Sequence, residues 1–337
     1  MREVTVSAVS GAPVEVGLDA SDAEMFAAVT ERWRRRLADV WADRPDLVVL
    51  PEHAARPLAS LDPRRMLPVE QIDDFTRTYG ERLQGFFAAL AAEHATHLAW
   101  SGYRVDDAGL LRNSTVVYGP DGNPMGAPYD KNYPTMPEMH RNHVAPGREM
   151  VVVDTPIGRL APTICFDLNY TEALERLAAQ RPDIILFSSA YHGGFMQQYW
   201  AYTARSWFIG AIHPPNLSEA YSPVGDKVAS STNYRYHFTK RINLDYRVCH
   251  IDEHAEAFAD LKNRYGRRVK IHDPGRVGVV LITSEDPDLP LAEALETAGI
   301  VDVDDYFSRS ITARNQTEIK PALLERGCSP LSASLSV

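Results

Sequence analysis

Short apolar runs that stop abruptly at a polar residue, each separated from the next by an amphipathic helical stretch, constrain this chain more than any other feature. Residues 2–9 alternate and suit an outer strand. Ser21-Asp-Ala-Glu24 is a capping box, in which hydroxyl and carboxylate satisfy each other's backbone donors. Phe26, Val29, Trp33, Leu37 and Val40 follow at spacings of three and four, one apolar stripe with Arg34, Arg35 and Arg36 around its edge. A buried strand at 46–50 completes a β-α-β start. Ile72, Phe75, Tyr79, Leu83, Phe86 and Leu90 repeat the helical period over 71–93, against the weakening effect of Gly80 and Gly85. Strands are expected at 97–103, 114–118, 150–154, 183–188 and 247–251, and helices at 171–180, 196–208 and 291–298. Residues 119–124 read as a tight turn and 132–149 as a surface loop. Strands interleaved with helices give an α/β fold; pattern alone leaves barrel, open sheet and sandwich open. No repeat or linker interrupts the chain before about residue 285. Residues 286–337 read as a C-terminal extension, an arm that packs on a neighbouring subunit or is loosely ordered.

Composition narrows the function. The chain has 337 residues, 45% of them hydrophobic, enough for a sizeable core. Its net charge of -10 argues against a nucleic-acid binder, whose surface is normally basic, and disfavours anionic lipid. No run approaches the roughly 20 apolar residues of a membrane span. The N-terminal residues lack the apolar core of a signal peptide. Three cysteines, Cys165, Cys249 and Cys328, are far apart and odd in number, so the expected home is a reducing cytoplasm.

Cys165 ends the apolar run Leu160-Ala-Pro-Thr-Ile, and a helix start follows within a few residues. Positive charge at a helix N-terminus favours thiolate. A lone Cys is otherwise a small buried hydrophobe, the role expected for Cys249; Cys328 lies in the tail and reads as incidental. Glu52 ends Leu47-Val-Val-Leu-Pro in the same way, and would be costly if it pointed inward without a partner. Lys131 lies in Tyr129-Asp-Lys-Asn-Tyr133, and Glu138 follows seven residues on. Singly, each of these charges has an ordinary reading as a solvated side chain.

Taken together, the chain resembles the nitrilase superfamily of carbon–nitrogen hydrolases. The matching pieces are Leu-Val-Val-Leu-Pro-Glu52, Tyr-Asp-Lys131 and the run from Ala145 through Cys165-Phe-Asp-Leu-Asn-Tyr-Thr-Glu172. Arg181-Pro-Asp-Ile-Ile-Leu-Phe-Ser-Ser-Ala190 and the helix at Ala204-Arg205 extend the match, which runs to about residue 285. The resemblance implies a hydrolase domain at 1–285, folded as a four-layer α-β-β-α sandwich that associates into a homodimer or larger homo-oligomer. It also implies roles: Cys165 as nucleophile, Glu52 as general base and acid, and Lys131 as oxyanion clamp with the backbone N–H of Phe166. Glu138 resembles a second glutamate that orients the lysine and the substrate. A fixed ammonium beside the thiol is expected to lower its pKa.

Phe166-Asp167 after the cysteine is closer to the amidase and carbamoyl-hydrolase pattern than to the Trp-Glu of nitrile-cleaving members. Those relatives often carry Arg where Asn169 stands, which removes one candidate for binding a substrate carboxylate. The first expectation is therefore an amidase releasing ammonia from a small carboxamide without a nearby carboxylate. The alternatives are a nitrilase, an N-carbamoyl hydrolase, an acyltransferase, or a non-catalytic scaffold; the last is disfavoured because all three triad residues are present. Tyr191 and His192, beside the nucleophile in this fold, are the expected acyl-pocket contacts. No cofactor is needed for this chemistry. His140 and His143 have helix-like spacing but no third ligand, so no metal is expected there.

Overall fold

Residues 1–58, 67–252 and 254–317 are described by a computed structural model. The chain runs β1 (Glu3–Val9), β2 (Val14–Glu15), α1 (Asp22–Trp41), β3 (Leu47–Val49), β4 (Pro57–Leu58), α2 (Val69–Glu93), β5 (His97–Val105), β6 (Leu111–Tyr118), β7 (Tyr129–Asp130) and α3 (Met136–His140). It continues through β8 (Val153–Thr155), β9 (Gly158–Ile164), a 3-10 turn (Cys165–Asn169), α4 (Thr171–Ala178), β10 (Ile184–Ser189), α5 (Met196–Ala204) and β11 (Trp207–Ile212). The remainder is β12 (Glu219–Tyr221), β13 (Lys227–Ser230), β14 (His237–Asn243), β15 (Tyr246–His250), α6 (Ala255–Tyr265), β16 (Val269–His272), β17 (Val279–Ser284), α7 (Leu291–Thr297) and α8 (Val303–Gln316).

Period-two alternation decides how these elements stack. In β3, Leu47 and Val49 face one way and Val48 the other. Leu47 and Val49 join Val4 and Val6 of β1 in a core shared with Leu160, Ile184, Leu186 and Ile209 of the second sheet. Val48 joins Leu98 and Trp100 of β5 beneath Trp33 and Leu37 of α1 and Phe75 and Phe87 of α2. On the far side, Ile185, Phe187 and Phe208 lie under Leu174 and Leu177 of α4 and Trp200 of α5. The result is four layers, α-β-β-α. The sheet orders are β14-β1-β3-β5-β6-β7 and β13-β12-β11-β10-β9-β8. Both contain a parallel centre, β1-β3-β5 and β9-β10-β11, flanked by antiparallel strands. Parallel strands buried on both faces account for their unbroken apolar runs.

The capping box at Ser21 and Glu24 forms as read, each backbone N–H accepted by the other side chain. Two details differ from the expected pattern. Met25, not Phe26, is the first buried residue of the α1 stripe; Phe26 sits at the edge, its ring 4.6 Å from the Arg82 guanidinium. The helix expected to reach 208 stops at Ala204, because Arg205 turns left-handed (φ 54) and Trp207 already begins β11. In the C-terminal region, β15, β16 and β17 form a small sheet. Leu291, Ala294 and Leu295 of α7 share a core with Cys249, Val280 and Ile282, so this stretch packs on its own chain. Residues 318–337, including Cys328 and the Ser-rich end, lie outside the described residues. Among the described residues no helix is long and apolar enough to cross a membrane.

Candidate active site

The C-terminal ends of strands from both sheets meet at one pocket. Glu52 lies three residues beyond β3, where the Leu50 amide still pairs with the Ala99 carbonyl of β5 (3.0 Å). Lys131 follows β7 directly, and its amide pairs with the Asn113 carbonyl of β6 (2.8 Å). Cys165 is the first residue after β9, and Ala190 the first after β10. Two bonds tie the sheets together here: Ser188 Oγ donates to the Leu50 carbonyl (2.8 Å), and His213 Nε2 to the Glu52 carbonyl (2.6 Å). Glu138 comes from the loop expected at 132–149, which holds the short helix α3. Thr135-Met-Pro-Glu138 is a second capping box: Thr135 N donates to Glu138 Oε2 (2.8 Å), and Glu138 N to Thr135 Oγ1. The signal was in the sequence, in the same form as the box that opens α1.

Lys131 is the hub. Its ammonium, 1% exposed, donates to Glu52 Oε1 and Glu138 Oε2, both at 2.8 Å. Asn113 Nδ2 donates to the same two carboxylates, at 2.8 Å each. The other Glu52 oxygen accepts from the Ala190 amide (3.0 Å). Burial alone would raise Glu52, but the Lys131 ammonium outweighs it and holds the carboxyl well below the usual range. Burial likewise opposes the charge on Lys131, and Glu52 overrides it, raising the ammonium above its ordinary value. Glu138 is lowered by the same ammonium against its own burial. A buried carboxylate–ammonium–carboxylate cluster survives because each member is hydrogen-bonded.

Cys165, 8% exposed, lies beside this cluster. Burial, then the Glu52 carboxylate, push its thiol well above the ordinary range, with Lys131 opposing. That departs from the expected lowered thiol. Burial and the Glu52 carboxylate together outweigh the Lys131 ammonium. The turn at Cys165 is 3-10, and α4 begins only at Thr171, so the expected α-helical N-terminus does not adjoin the sulfur. The resting pair is thus thiol and carboxylate. Cys165 adopts a left-handed backbone (φ 49), a conformation that costs a non-glycine residue about 1–3 kcal/mol. Asp167 holds it there, accepting from Ile164 N (2.9 Å), Tyr133 N (3.0 Å) and Tyr129 OH (2.7 Å).

The structure therefore brings Glu52, Lys131, Glu138 and Cys165 together. Phe166, Tyr191 and His192 lie around the nucleophile turn rather than on the cavity wall. The Phe166 ring, 37% exposed, packs edge-on to Tyr170. Tyr191 OH accepts from Asn169 Nδ2 (3.0 Å). His192 Nε2 is 3.1 Å from Glu219, a carboxylate lowered to about 2 chiefly by its bonds to His192, Tyr221 and Lys227 against the effect of burial. His140 and His143 are both exposed. Among the described residues, Glu52, His53 and Glu138 offer metal-ligand atoms within 4.8 Å of one another. The Lys131 ammonium already satisfies both of those carboxylates.

The cavity above the cluster has a volume of about 380 Å³, small for a ligand pocket (roughly 300–1,000 Å³). Its outer wall comprises His53, Arg56, Tyr103, Arg141 and Asn142. None of these was singled out from sequence. The His53 ring stands edge-on to Tyr103 at 4.8 Å, and Asn142 Nδ2 donates to Tyr103 OH (3.1 Å). Burial pushes the His53 imidazole down to about 4 despite nearby Glu52, so it is neutral at pH 7.

The family described as "Carbon-nitrogen hydrolase" matches residues 20–209, a span that holds Glu52, Lys131, Glu138 and Cys165. Deaminated glutathione amidase of Yersinia enterocolitica is 28% identical over 105 residues, covering 29% of this chain and 36% of that one. The chain spans 28–59% of the length of three curated relatives that it matches. Among solved structures, a carbon-nitrogen hydrolase from Helicobacter pylori aligns with a TM-score of 0.59 at 19% identity, over 72% of this chain and 90% of that one. An amidase from Nesterenkonia sp., bearing the acetamide moiety of fluoroacetamide covalently at its active-site cysteine, aligns with a TM-score of 0.56 at 14% identity, over 71% and 90%. At such identities the likeness is one of fold.

Proposed function

Because this chain belongs to the carbon–nitrogen hydrolase family, we propose that it hydrolyses a small carboxamide to a carboxylate and ammonia through a thioester on Cys165. One observation carries the reading. A single buried ammonium is fixed between two carboxylates, one of which acts directly on the neighbouring thiol. The neutral thiol and ionised Glu52 are the correct starting states for general-base attack.

The Cys165 sulfur adds to the amide carbon as its proton passes to Glu52. The carbonyl π electrons move to oxygen. Lys131 has three N–H donors and spends two on carboxylates, leaving one for that oxyanion. The Phe166 N–H supplies a second donor. The C–N bond then breaks, Glu52 returns the proton to nitrogen, and ammonia leaves. Water attacks the thioester, giving its proton to Glu52, and the carboxylic acid departs as the thiol is restored. Glu138 fixes the ammonium through a second charge-assisted hydrogen bond. The amidase from Nesterenkonia, with a covalent adduct at its cysteine, supports the thiol as nucleophile by likeness of fold.

The test is intact-protein mass after brief exposure to amides, nitriles and N-carbamoyl compounds, with released ammonia assayed in parallel and Cys165→Ala as control. An acyl adduct on the native protein alone, with ammonia from amides, is expected. Turnover of nitriles or N-carbamoyl compounds in preference to amides overturns the choice of substrate class. Equal turnover by Cys165→Ala overturns the mechanism.

A further inference from the structure

The two donors that face the oxyanion come from different sheets. The Lys131 ammonium follows β7, and the Phe166 N–H follows β9. The gap between them must be held closely, since a reacting group about 1 Å out of place can cost about 100-fold in rate. Asp167 stands where it can hold that gap. It follows Phe166 directly and is fully buried. Its Oδ2 accepts from Ile164 N (2.9 Å), the residue before Cys165, and from Tyr129 OH (2.7 Å). Its Oδ1 accepts from Tyr133 N (3.0 Å). Tyr129 and Tyr133 lie two residues to either side of Lys131. One carboxylate thus grips the nucleophile turn and both ends of the segment that carries the ammonium. The Tyr133 ring, stacked on Tyr170 with centroids 3.7 Å apart, reinforces the same junction. All three donors are neutral, and a buried carboxylate is a costly way to fix a turn. What it gains is charge-assisted bonding, about twice as strong as a neutral acceptor provides.

Resting on the amidase reading above, we propose that Asp167 is a positioning residue that sets the spacing between the two oxyanion donors, and that it does so as an ionised carboxylate. Both of its oxygens already face donors. A proton on either sets hydrogen against hydrogen unless Tyr129 turns its hydroxyl, and the remaining bonds lose their charge assistance. Burial pushes this carboxyl up to about 6, with Tyr129, the Ile164 N–H, Lys131 and the Tyr133 N–H pulling it back. The ionisable groups that face it are Cys165 on its own turn, Tyr129, Lys131 and Tyr133 on the segment after β6, and Tyr191 after β10. Each is raised above its ordinary value, so none changes charge between pH 5 and 7. Glu52 and Glu138 are held low, His53 lies near 4, and His192 is turned to Glu219 at 3.1 Å. The carboxylate form dominates above pH 6, so turnover should fall as pH drops through that value.

The experiment measures kcat and KM for a carboxamide from pH 5 to 8. In the native protein kcat should fall about 5- to 10-fold between pH 7 and 5, with KM changed by less than about twofold. Asp167→Asn keeps the shape but puts a donor where an acceptor is needed. It should lose about 30-fold in kcat at pH 7.5, and the fall toward pH 5 should vanish. Tyr129→Phe removes one donor, so the midpoint should rise by about one pH unit, a shift that a merely structural contact would not produce. Acetaldehyde separates this role from amide cleavage. The Cys165 sulfur adds to its carbonyl carbon, the π electrons move to oxygen and the thiol proton passes to Glu52, with no C–N bond to break. Binding of carbon-13 acetaldehyde, read by NMR, should weaken about 5- to 10-fold from pH 7 to 5 in the native protein and be weak at both in Asp167→Asn. If the aldehyde behaves so while no amide is hydrolysed, the amidase reading fails and the role of Asp167 stands. Aldehyde binding that Asp167→Asn leaves within about twofold, or a fall toward pH 5 that persists in that variant, overturns the proposal. Should Asp167→Asn not fold, an unmoved midpoint in Tyr129→Phe overturns it.

Discussion

The floor and the outer wall of one cavity differ in how fully their charged groups are matched. On the floor, one ammonium and one amide serve two carboxylates, and burial is nearly complete. On the wall, His53 and Arg56 keep unmatched nitrogen atoms, and Arg141 faces solvent. A network whose charges are all paired is rigid, so it suits groups that must stay within a few tenths of an ångström of the reacting atoms. The unmatched atoms of the wall cost folding free energy and leave hydrogen-bonding capacity facing the cavity. The chemistry and the selectivity of this site are thus built to different standards of completion.

The sharpest way to break the contrast is on the floor. Glu52→Gln keeps the shape but removes the base, and should lower kcat for ammonia release by about 10⁴-fold or more, as should Cys165→Ala. A loss below tenfold in either would sink the triad. Lys131→Met comes next, and its effect is on stability as well as rate. It leaves two buried carboxylates facing each other and should destabilise by about 3–5 kcal/mol. Adding Glu138→Gln should recover part of that in urea melts; a double variant no more stable than the single one contradicts the account of Lys131 as hub.

The wall should respond more weakly. The folded-state value of His53 lies near 4, below the 6.5 of the unfolded chain. Between those values the unfolded chain holds a proton that the folded one does not. Stability from this group is therefore complete above pH 6.5 and is lost as pH falls toward 4, by at most about 3 kcal/mol. His53→Gln should flatten that part of the pH–stability curve, and an unchanged slope would show the imidazole to be protonated in the folded protein. The smallest effect belongs to Arg141→Met. An exposed cation with no partner among the described residues should change stability by no more than about 0.5 kcal/mol, against the several kcal/mol expected for Lys131. A large loss in denaturant titration would mean that the wall, too, is part of the framework.

The floor was legible in the sequence and the wall was not, for a physical reason. Glu52 and Cys165 each sit where an apolar run ends, a break in pattern visible without a structure, while Lys131 stands out only through the resemblance of Tyr129-Asp-Lys131 to the family. The four layers needed more: period-two alternation in Leu47, Val48 and Val49 fits a strand buried on both faces, but only pairing says which residues face the second sheet. Asn113 lies inside a strand between Arg112 and Ser114, where one polar residue looks like any other. Arg56, Tyr103 and Arg141 come from three separate segments, and no spacing links them. Glu138 falls between the two cases. Its capping box with Thr135 was readable and would have turned a presumed loop into α3. The reach of α5 was overread because the apolar period continues through Trp207, while the left-handed turn at Arg205 has no glycine to announce it.

The bonds from Ser188 to Leu50 and from His213 to Glu52 cross between the two sheets, and the reacting groups are divided the same way. Glu52 and Lys131 belong to the first sheet, Cys165 to the second. On the proposed mechanism, half a molecule therefore holds either a base with no nucleophile or a nucleophile with no base. Reactivity of the proposed kind then requires complete assembly, so a chain whose two sheets have not docked should be inert toward carbonyl compounds around it. Contacts so far apart in sequence form slowly. After dilution from denaturant, acylation of Cys165 by an amide should lag behind the return of helical circular dichroism, and simultaneous recovery of the two signals would rule this gating out.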